Sequence, residues 1–327
     1  MAGVAGVQKK RVVFFGTPEF SVPSLQKLVE SNEFDVVLVV SQPDRPAGRK
    51  MQLKASHTKE YALSQGLSVA TPEKAKEASF LEKLKSVNAD LAVVVAYGQI
   101  LSQSLLDIFS GEVFNLHASL LPHLRGAAPI QRALMNCDSE TGVTLQRVVQ
   151  KLDAGPILGL RRLKIREDHN ATILFDELSQ IGSELLTDEL VRYLEGSLKV
   201  QEQDESKVTI AKKIEKDEAR ILWNQLEAKY VKGLVDGLVV WPKAYFLWKS
   251  KPVKILKARL VGGNDAAVFG RTIEAGRVLM SDDGLLIVGC SRNSAIEIVE
   301  VLPESRSRMT AKDFIIGFGL NTDDILE

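Results

Sequence analysis

The sequence predicts an α/β protein: a parallel sheet covered by helices on both faces, followed by a small antiparallel β-barrel. Three observations predict it. Apolar runs such as RVVFFG at Arg11–Gly16, DVVLVV at Asp35–Val40 and LAVVVA at Leu91–Ala96 alternate with helical patterns, and strands apolar on both faces belong in buried parallel sheets. A polar, charge-rich stretch, GSLKVQEQDESKV, then interrupts the pattern after Glu195. Beyond it, short strand candidates recur between Val253 and Val301, separated by turn residues at Gly262–Gly263 and Asp282–Gly284. In a sheet of the first kind the ligand crevice lies beyond the carboxyl ends of the strands.

Each element follows from local pattern. The first strand, Arg11–Gly16, ends in glycine. Thr17 then suits an N-cap, with Pro18 at the first helical position of a helix reaching Glu30, whose Val22, Leu25, Leu28 and Val29 share a face. After the strand Asp35–Val40, helices are expected over Ala55–Gln65 and Ser79–Ser86. Strands Leu91–Ala96 and Val113–Leu116 follow, with a helix over Ala128–Met135. Strands Thr141–Val149 and Ile157–Ile165 precede a long helix, Asn170–Leu194. The expected division is a first domain over 1–196, an exposed linker over 197–208 and a second domain over 209–327, opening on a helix at Asp217–Gly233.

At 327 residues the chain accommodates two domains, each with its own core. The 2 cysteines, Cys137 and Cys290, stand far apart and outside any metal-ligand spacing, which argues against a disulfide framework or structural zinc and for a reducing compartment. Met1–Lys10 lacks the apolar core of a signal peptide, and no apolar run reaches membrane-spanning length. The expectation is a soluble monomer without membrane partners and without metal.

Formal net charge is zero, so charge sum points to no partner; its distribution does. Gly237–Asn264 contains no acidic residue before Asp265, yet Lys243, Lys249, Lys251, Lys254, Lys257 and Arg259 fall there, with Trp241, Tyr245, Phe246 and Trp248 among the first of them. Two readings fit: an edge strand guarded by lysines, or a surface that tracks phosphates.

Chemistry is concentrated in Phe114–Pro129, FNLHASLLPHLRGAAP. Asn115 and His117 alternate at a strand end and so face the same way, at the lip of the sheet. A carboxamide beside an imidazole can hold the oxyanion formed when a nucleophile adds to a carbonyl, and the imidazole can move the amine's proton. Both residue types also serve as plain strand-end polar groups. Asp153, in KLDAGPI at Lys151–Ile157, is either a turn residue set by Gly155 and Pro156 or the carboxylate that orients His117. The glycines of a dinucleotide loop are missing after the first strand, where Gly16–Phe20 reads GTPEF. A nicotinamide enzyme is therefore set aside.

Together these segments resemble the signature of folate-dependent formyltransferases. The first half is Asn115-x-His117-x-Ser119-Leu120-Leu121-Pro122-x-x-Arg125-Gly126; the second is Leu152–Gly155, LDAG. GTPEF at Gly16–Phe20, QPDRPAGR at Gln42–Arg49, AYG at Ala96–Gly98 and TGVT at Thr141–Thr144 extend the likeness, most fully over the first two-thirds of the chain. The resemblance implies a Rossmann-like catalytic domain and an OB-like tRNA-binding barrel. It also implies catalysis by Asn115, His117 and Asp153. 10-Formyltetrahydrofolate would be the formyl donor, seated against Ser119, Leu120, Leu121, Pro122, Ala96, Tyr97, Gly98 and Leu152. Its motifs are most similar to those of members whose acceptor is initiator methionyl-tRNA, held by Arg45, Arg49, Lys243, Lys249, Lys251 and Lys254. Such an enzyme would work in the cytoplasm of a bacterium, or in the mitochondrial matrix or plastid of a eukaryote. A relative acting on a small amine or water, and an inactive RNA-binding module, are the competing readings. The last third departs from the family pattern at Val239-Val240, before Trp241-Pro242, and at Lys243.

Overall fold

The computed structural model describes residues 9–47, 52–261, 273–280 and 284–327. The expected turns at 262–263 and 282–283, and Arg49, lie outside the described residues. Through the first half the order is β1 (Lys10–Gly16), α1 (Val22–Glu30), β2 (Phe34–Val40), β3 (Arg45–Ala47), β4 (Gln52–Lys54), α2 (His57–Ser64), β5 (Val69–Ala70) and α3 (Ala78–Ser86). Then come β6 (Leu91–Val95), α4 (Gln103–Ile108), β7 (Val113–His117), β8 (Arg125–Gly126), α5 (Pro129–Met135), β9 (Glu140–Arg147), β10 (Ile157–Lys164), α6 (Ala171–Leu194) and β11 (Ile210–Ala211).

Seven strands form one sheet in the order β10-β9-β7-β6-β1-β2-β5. The pairs β2–β5, β1–β2, β1–β6 and β6–β7 are parallel. β9 runs antiparallel to β7, so the sheet is mixed rather than wholly parallel. All five residues of β6 are buried, as a strand covered on both faces requires. Chain order reverses between β1 and β6, which makes their carboxyl ends the switch point of the sheet. Thr17 ties those ends together: its hydroxyl donates to Tyr97 O at 2.8 Å. It does not cap a helix. A short 3₁₀ turn, Glu19–Ser21, comes first, and α1 starts at Val22 without a side-chain cap.

The chain divides into two compact units that are interleaved in sequence. One gathers the chain up to Gly126, Thr141–Lys164 and Phe175–Ala211; the other gathers Ala127–Glu140, Ile165–Leu174 and the chain from Lys212. The stretch expected as an exposed linker, 197–208, therefore belongs to the first unit. Gln201 bridges Ile157, and β11 pairs in parallel with β8. Its polar side chains find partners there, as described below, and that is why a solvated composition is held in place.

In the second unit, α7 (Ala228–Gly237) is followed by β12 (Tyr245–Trp248), β13 (Lys251–Leu260), β14 (Val278–Met280), β15 (Leu286–Cys290), β16 (Ser294–Pro303), β17 (Met309–Thr310) and a helix over Ala311–Phe318. The sheet is antiparallel in the order β12-β13-β16-β15-β14, with β17 on β16. Lys249 and Ser250, both left-handed (φ 49° and 63°), turn β12 into β13, the backbone that two-residue hairpins need. The single helix expected at Asp217–Gly233 is instead a 3₁₀ turn, Asp217–Ala219, and the separate α7. Arg220 bridges Tyr245, and Ile221 N–H donates to Tyr245 O at 2.8 Å; a segment bonded beside a strand cannot also be helical. α7 packs on α5 through Gly237, where a Cβ would sit 3.0 Å from Gln131 O. Trp223, Phe246, Phe314 and Val288 fill this unit's own core.

Candidate active site

Strand pairing places the first candidates. In the β7–β9 register Asn115 lies opposite Gln146 and His117 opposite Thr144, so these four share one face at the end of the sheet. His117 is buried, 7% exposed. Its Nε2 lies 2.9 Å from Leu124 O, and a carbonyl can only accept, so Nε2 carries the proton. Nδ1 is then the basic nitrogen. It faces Asp153 Oδ2 at 3.7 Å, too long for a hydrogen bond but close enough for a carboxylate to stabilise an imidazolium formed there. The Asn115 side chain is half-buried and makes no hydrogen bond among the described residues, leaving its N–H₂ free for a ligand carbonyl.

Asp153 is held from several sides. It adopts a left-handed backbone, φ 48°, a sparsely populated region that Asp tolerates better than most residues with a Cβ. Oδ2 accepts from Gly126 N–H at 2.9 Å, and Oδ1 from Gln146 Nε2 at 3.2 Å. Gly126 itself has φ 124°, and a Cβ there would lie 2.6 Å from Ala211 O. Only glycine fits at this position.

Ser119–Pro122 forms the loop after β7. Ser119 Oγ donates to His123 O at 2.6 Å; Thr144 Oγ1 donates to Ser119 O at 2.7 Å and accepts from Leu121 N–H at 3.1 Å. Leu120 packs over Gly142, where a Cβ would lie 2.5 Å from its Cδ2. The loop is thus pinned by backbone and hydroxyl bonds. Leu152 is exposed, 65%, beside Asp153 and open to a ligand. Ala96 (φ 49°) and Gly98 (φ 85°) make the turn after β6, and Gln42 Nε2 donates to Tyr97 O at 3.1 Å. The Tyr97 ring departs from expectation: it faces the core, edge-on to Phe15. Burial pushes its phenol up to about 12, and Ala96 and Gly98 are the exposed residues of this turn.

Arg125 also differs from a cation offered to a ligand. It is 2% exposed and is spent internally, its Nη2 donating to Glu205 Oε1 at 2.9 Å. Glu205 is held below the usual carboxylate range by that bond and by Lys151. Gln146, Thr144 and Gln203 were not singled out as site residues from sequence. The available signal for Gln146 was its alternation with Thr144 in TGVTLQR, which puts both side chains on one face of the strand.

The cations assigned to tRNA fare unequally. Arg45, exposed, pairs with Glu73 at 3.5 Å. Lys243 turns inward, its ammonium donating to Val239 O; desolvation, with Lys254 nearby, lowers its pKa. Lys249 lies 4.9 Å from the centre of the Trp248 ring. Lys251 and Lys254 have no acidic partner among the described residues. Lys254 lines a cavity of about 610 Å³ with Trp241, Tyr245, Lys216 and Arg306. Among the described residues no three His, Cys, Asp or Glu side chains gather as a metal site, and no helix is long and apolar enough to cross a membrane.

The end of β7 with Asn115 and His117, and the Asp153 turn that faces it, on a sheet of this order, define a class. The formyl transferase family matches over residues 9–190 and the formyl transferase C-terminal domain over 213–319; the chain belongs to the formyl transferase family. Among its relatives is "Methionyl-tRNA formyltransferase" of Bdellovibrio bacteriovorus, 46% identical, covering 98% of this chain and 99% of the relative. The protein of the same name from Thermodesulfovibrio yellowstonii is 42% identical, covering 95% and 96%. The fold is shared with HypX from Aquifex aeolicus in complex with tetrahydrofolic acid, at TM-score 0.57 and 17% identity, covering 97% of this chain and 50% of that one.

Proposed function

We propose that the protein transfers the formyl group of 10-formyltetrahydrofolate to the α-amino group of methionyl-initiator tRNA, giving N-formylmethionyl-tRNA. The observation that carries the chemistry is the His117 imidazole, held by Leu124 O on one side with its basic Nδ1 turned to Asp153 on the other. The amine adds to the formyl carbon and a C–N bond forms. Asn115 donates to the oxyanion that develops. Nδ1 of His117 takes the proton the amine loses, and Asp153 stabilises the resulting cation. The C–N bond to the folate N10 then breaks, and that nitrogen leaves with a proton returned by His117. The loop Ser119–Pro122, the Ala96–Gly98 turn and Leu152 bind the folate.

The acceptor is supported by the near full-length match to two relatives named for methionyl-tRNA and by the cations Lys251 and Lys254, which have no acidic partner among the described residues. The protein acts as a monomer, each chain carrying a complete set of the three catalytic side chains. The test is a formyl-transfer assay that supplies the folate donor with charged initiator tRNA, and separately with small amines. Formylated methionyl-tRNA is the expected product. Transfer to a small amine or to water, with none to tRNA, would keep the chemistry and refute the acceptor.

A further inference from the structure

We propose that Gln203 is a positioning residue for formyl transfer: it fixes the turn that presents Asp153 to His117. The proposal rests on the reading of Asp153 as the partner of His117. Gln203 Nε2 donates to Asp153 O at 2.9 Å and to Gly155 O at 2.7 Å, with Gln146 Oε1 a longer third acceptor at 3.2 Å. An amide nitrogen has two hydrogens, so the two shorter bonds, both to backbone carbonyls of the turn, take them. These carbonyls belong to the 153–154 and 155–156 peptides, and gripping both fixes two alternate peptide planes of the turn. That grip helps hold Asp153 at φ 48°, a sparsely populated region for a residue with a Cβ, though one that Asp tolerates.

The other end of the same carboxamide is fixed as firmly. Gln203 Oε1 accepts from Arg125 Nε at 3.1 Å and from Nη2 at 2.7 Å. Arg125 has no acceptor and the turn carbonyls have no donor, so the amide can point only one way. Arg125 is buried and anchored in turn by Glu205. Gln203 is brought to the turn by the segment that continues into β11, where Thr209 O accepts from Arg125 N–H at 2.9 Å. Three handles thus converge on Asp153: Gly126 N–H and Gln146 hold its carboxylate, and Gln203 holds its backbone. Gln203 touches no reacting atom. Its effect is exerted on where the carboxylate stands relative to Nδ1.

Two substitutions separate its halves. Gln203→Glu keeps the acceptor for Arg125 and removes the donor to the turn; Gln203→Met keeps the length and removes both. The expected result for each is a fall in kcat of about 10- to 100-fold, the range for partners that orient a catalytic group. KM for both substrates, tRNA affinity and melting temperature stay near wild type. In an Asp153→Asn background neither substitution lowers kcat further, beyond about twofold. Unchanged kcat in both folded variants, a loss seen in KM alone, or the same loss in both backgrounds would overturn the proposal. Loss of cooperative melting in both variants would overturn it too, by making Gln203 a structural residue. If Asp153→Asn alone is impaired while the Gln203 variants are not, only the positioning role fails. Full activity in Asp153→Asn defeats the reading of Asp153 itself.

Discussion

The polar groups around Asp153 and the cations of β12–β13 are used in opposite ways. Around Asp153 nearly every donor meets an acceptor inside the unit: Gln146, Gln203, Gly126 and Arg125 are all committed, and burial makes each bond directional. Along Lys249–Lys254 the ammonium groups have no acidic partner among the described residues, so their action is long-ranged and sensitive to salt. The first arrangement suits a transition state that needs one geometry. The second suits a polyanion met over many phosphates. Substitution in one region should therefore change turnover, and in the other affinity.

The largest expected effect that tests this division is at Asn115. Asn115→Ala should lower kcat by about 10²–10³ with little change in KM, as for loss of one oxyanion donor; steady-state kinetics read it directly. A KM effect with kcat intact would break the division. Next is Gly126→Ala, which combines a φ of 124° with a clash against Ala211 O. It should cost about 1–3 kcal/mol of stability in denaturant titration and lower kcat as well, because Gly126 N–H holds Asp153. Smaller still, Lys251→Ala or Lys254→Ala should each reduce the slope of log affinity for tRNA against log salt by about 1. Turnover at saturating tRNA should be unchanged. An unchanged slope would mean the cations guard a strand edge instead.

The smallest effect concerns thiols. Cys290 is buried and its thiol is pushed up to about 12. Below that pH it remains protonated and unreactive. A thiol reagent at pH 8 should modify Cys137 alone in the native protein, and Cys290 only after unfolding. Modification of both at pH 8 without unfolding would show that the second unit's core opens readily.

Much of the first unit was legible because buried parallel strands and a dense motif leave strong patterns. Asn115 and His117 stand two apart at a strand end, and Asp153 stands in a Gly-Pro turn; these are local facts. What sequence concealed was non-local. Thr17 has the chemistry of a cap, but a carbonyl 80 residues away takes its hydroxyl. The composition of 197–208 is that of a solvated linker, and it becomes structure because Ile157 pairs with Gln201, and Arg125 and the Asp153 turn supply partners for Gln203. The helix expected at Asp217–Gly233 failed for the same kind of reason, since Tyr245 captures Ile221. Lys243 looks like its neighbours in sequence, yet a left-handed backbone (φ 75°) turns it to Val239 O.

The most direct measurement is His117→Ala, followed by two readouts on one preparation: formyl transfer to charged initiator tRNA, and equilibrium binding of that tRNA. The account predicts a loss of kcat of about 10²–10⁴ with tRNA affinity unchanged. Near wild-type turnover in the folded variant would contradict it.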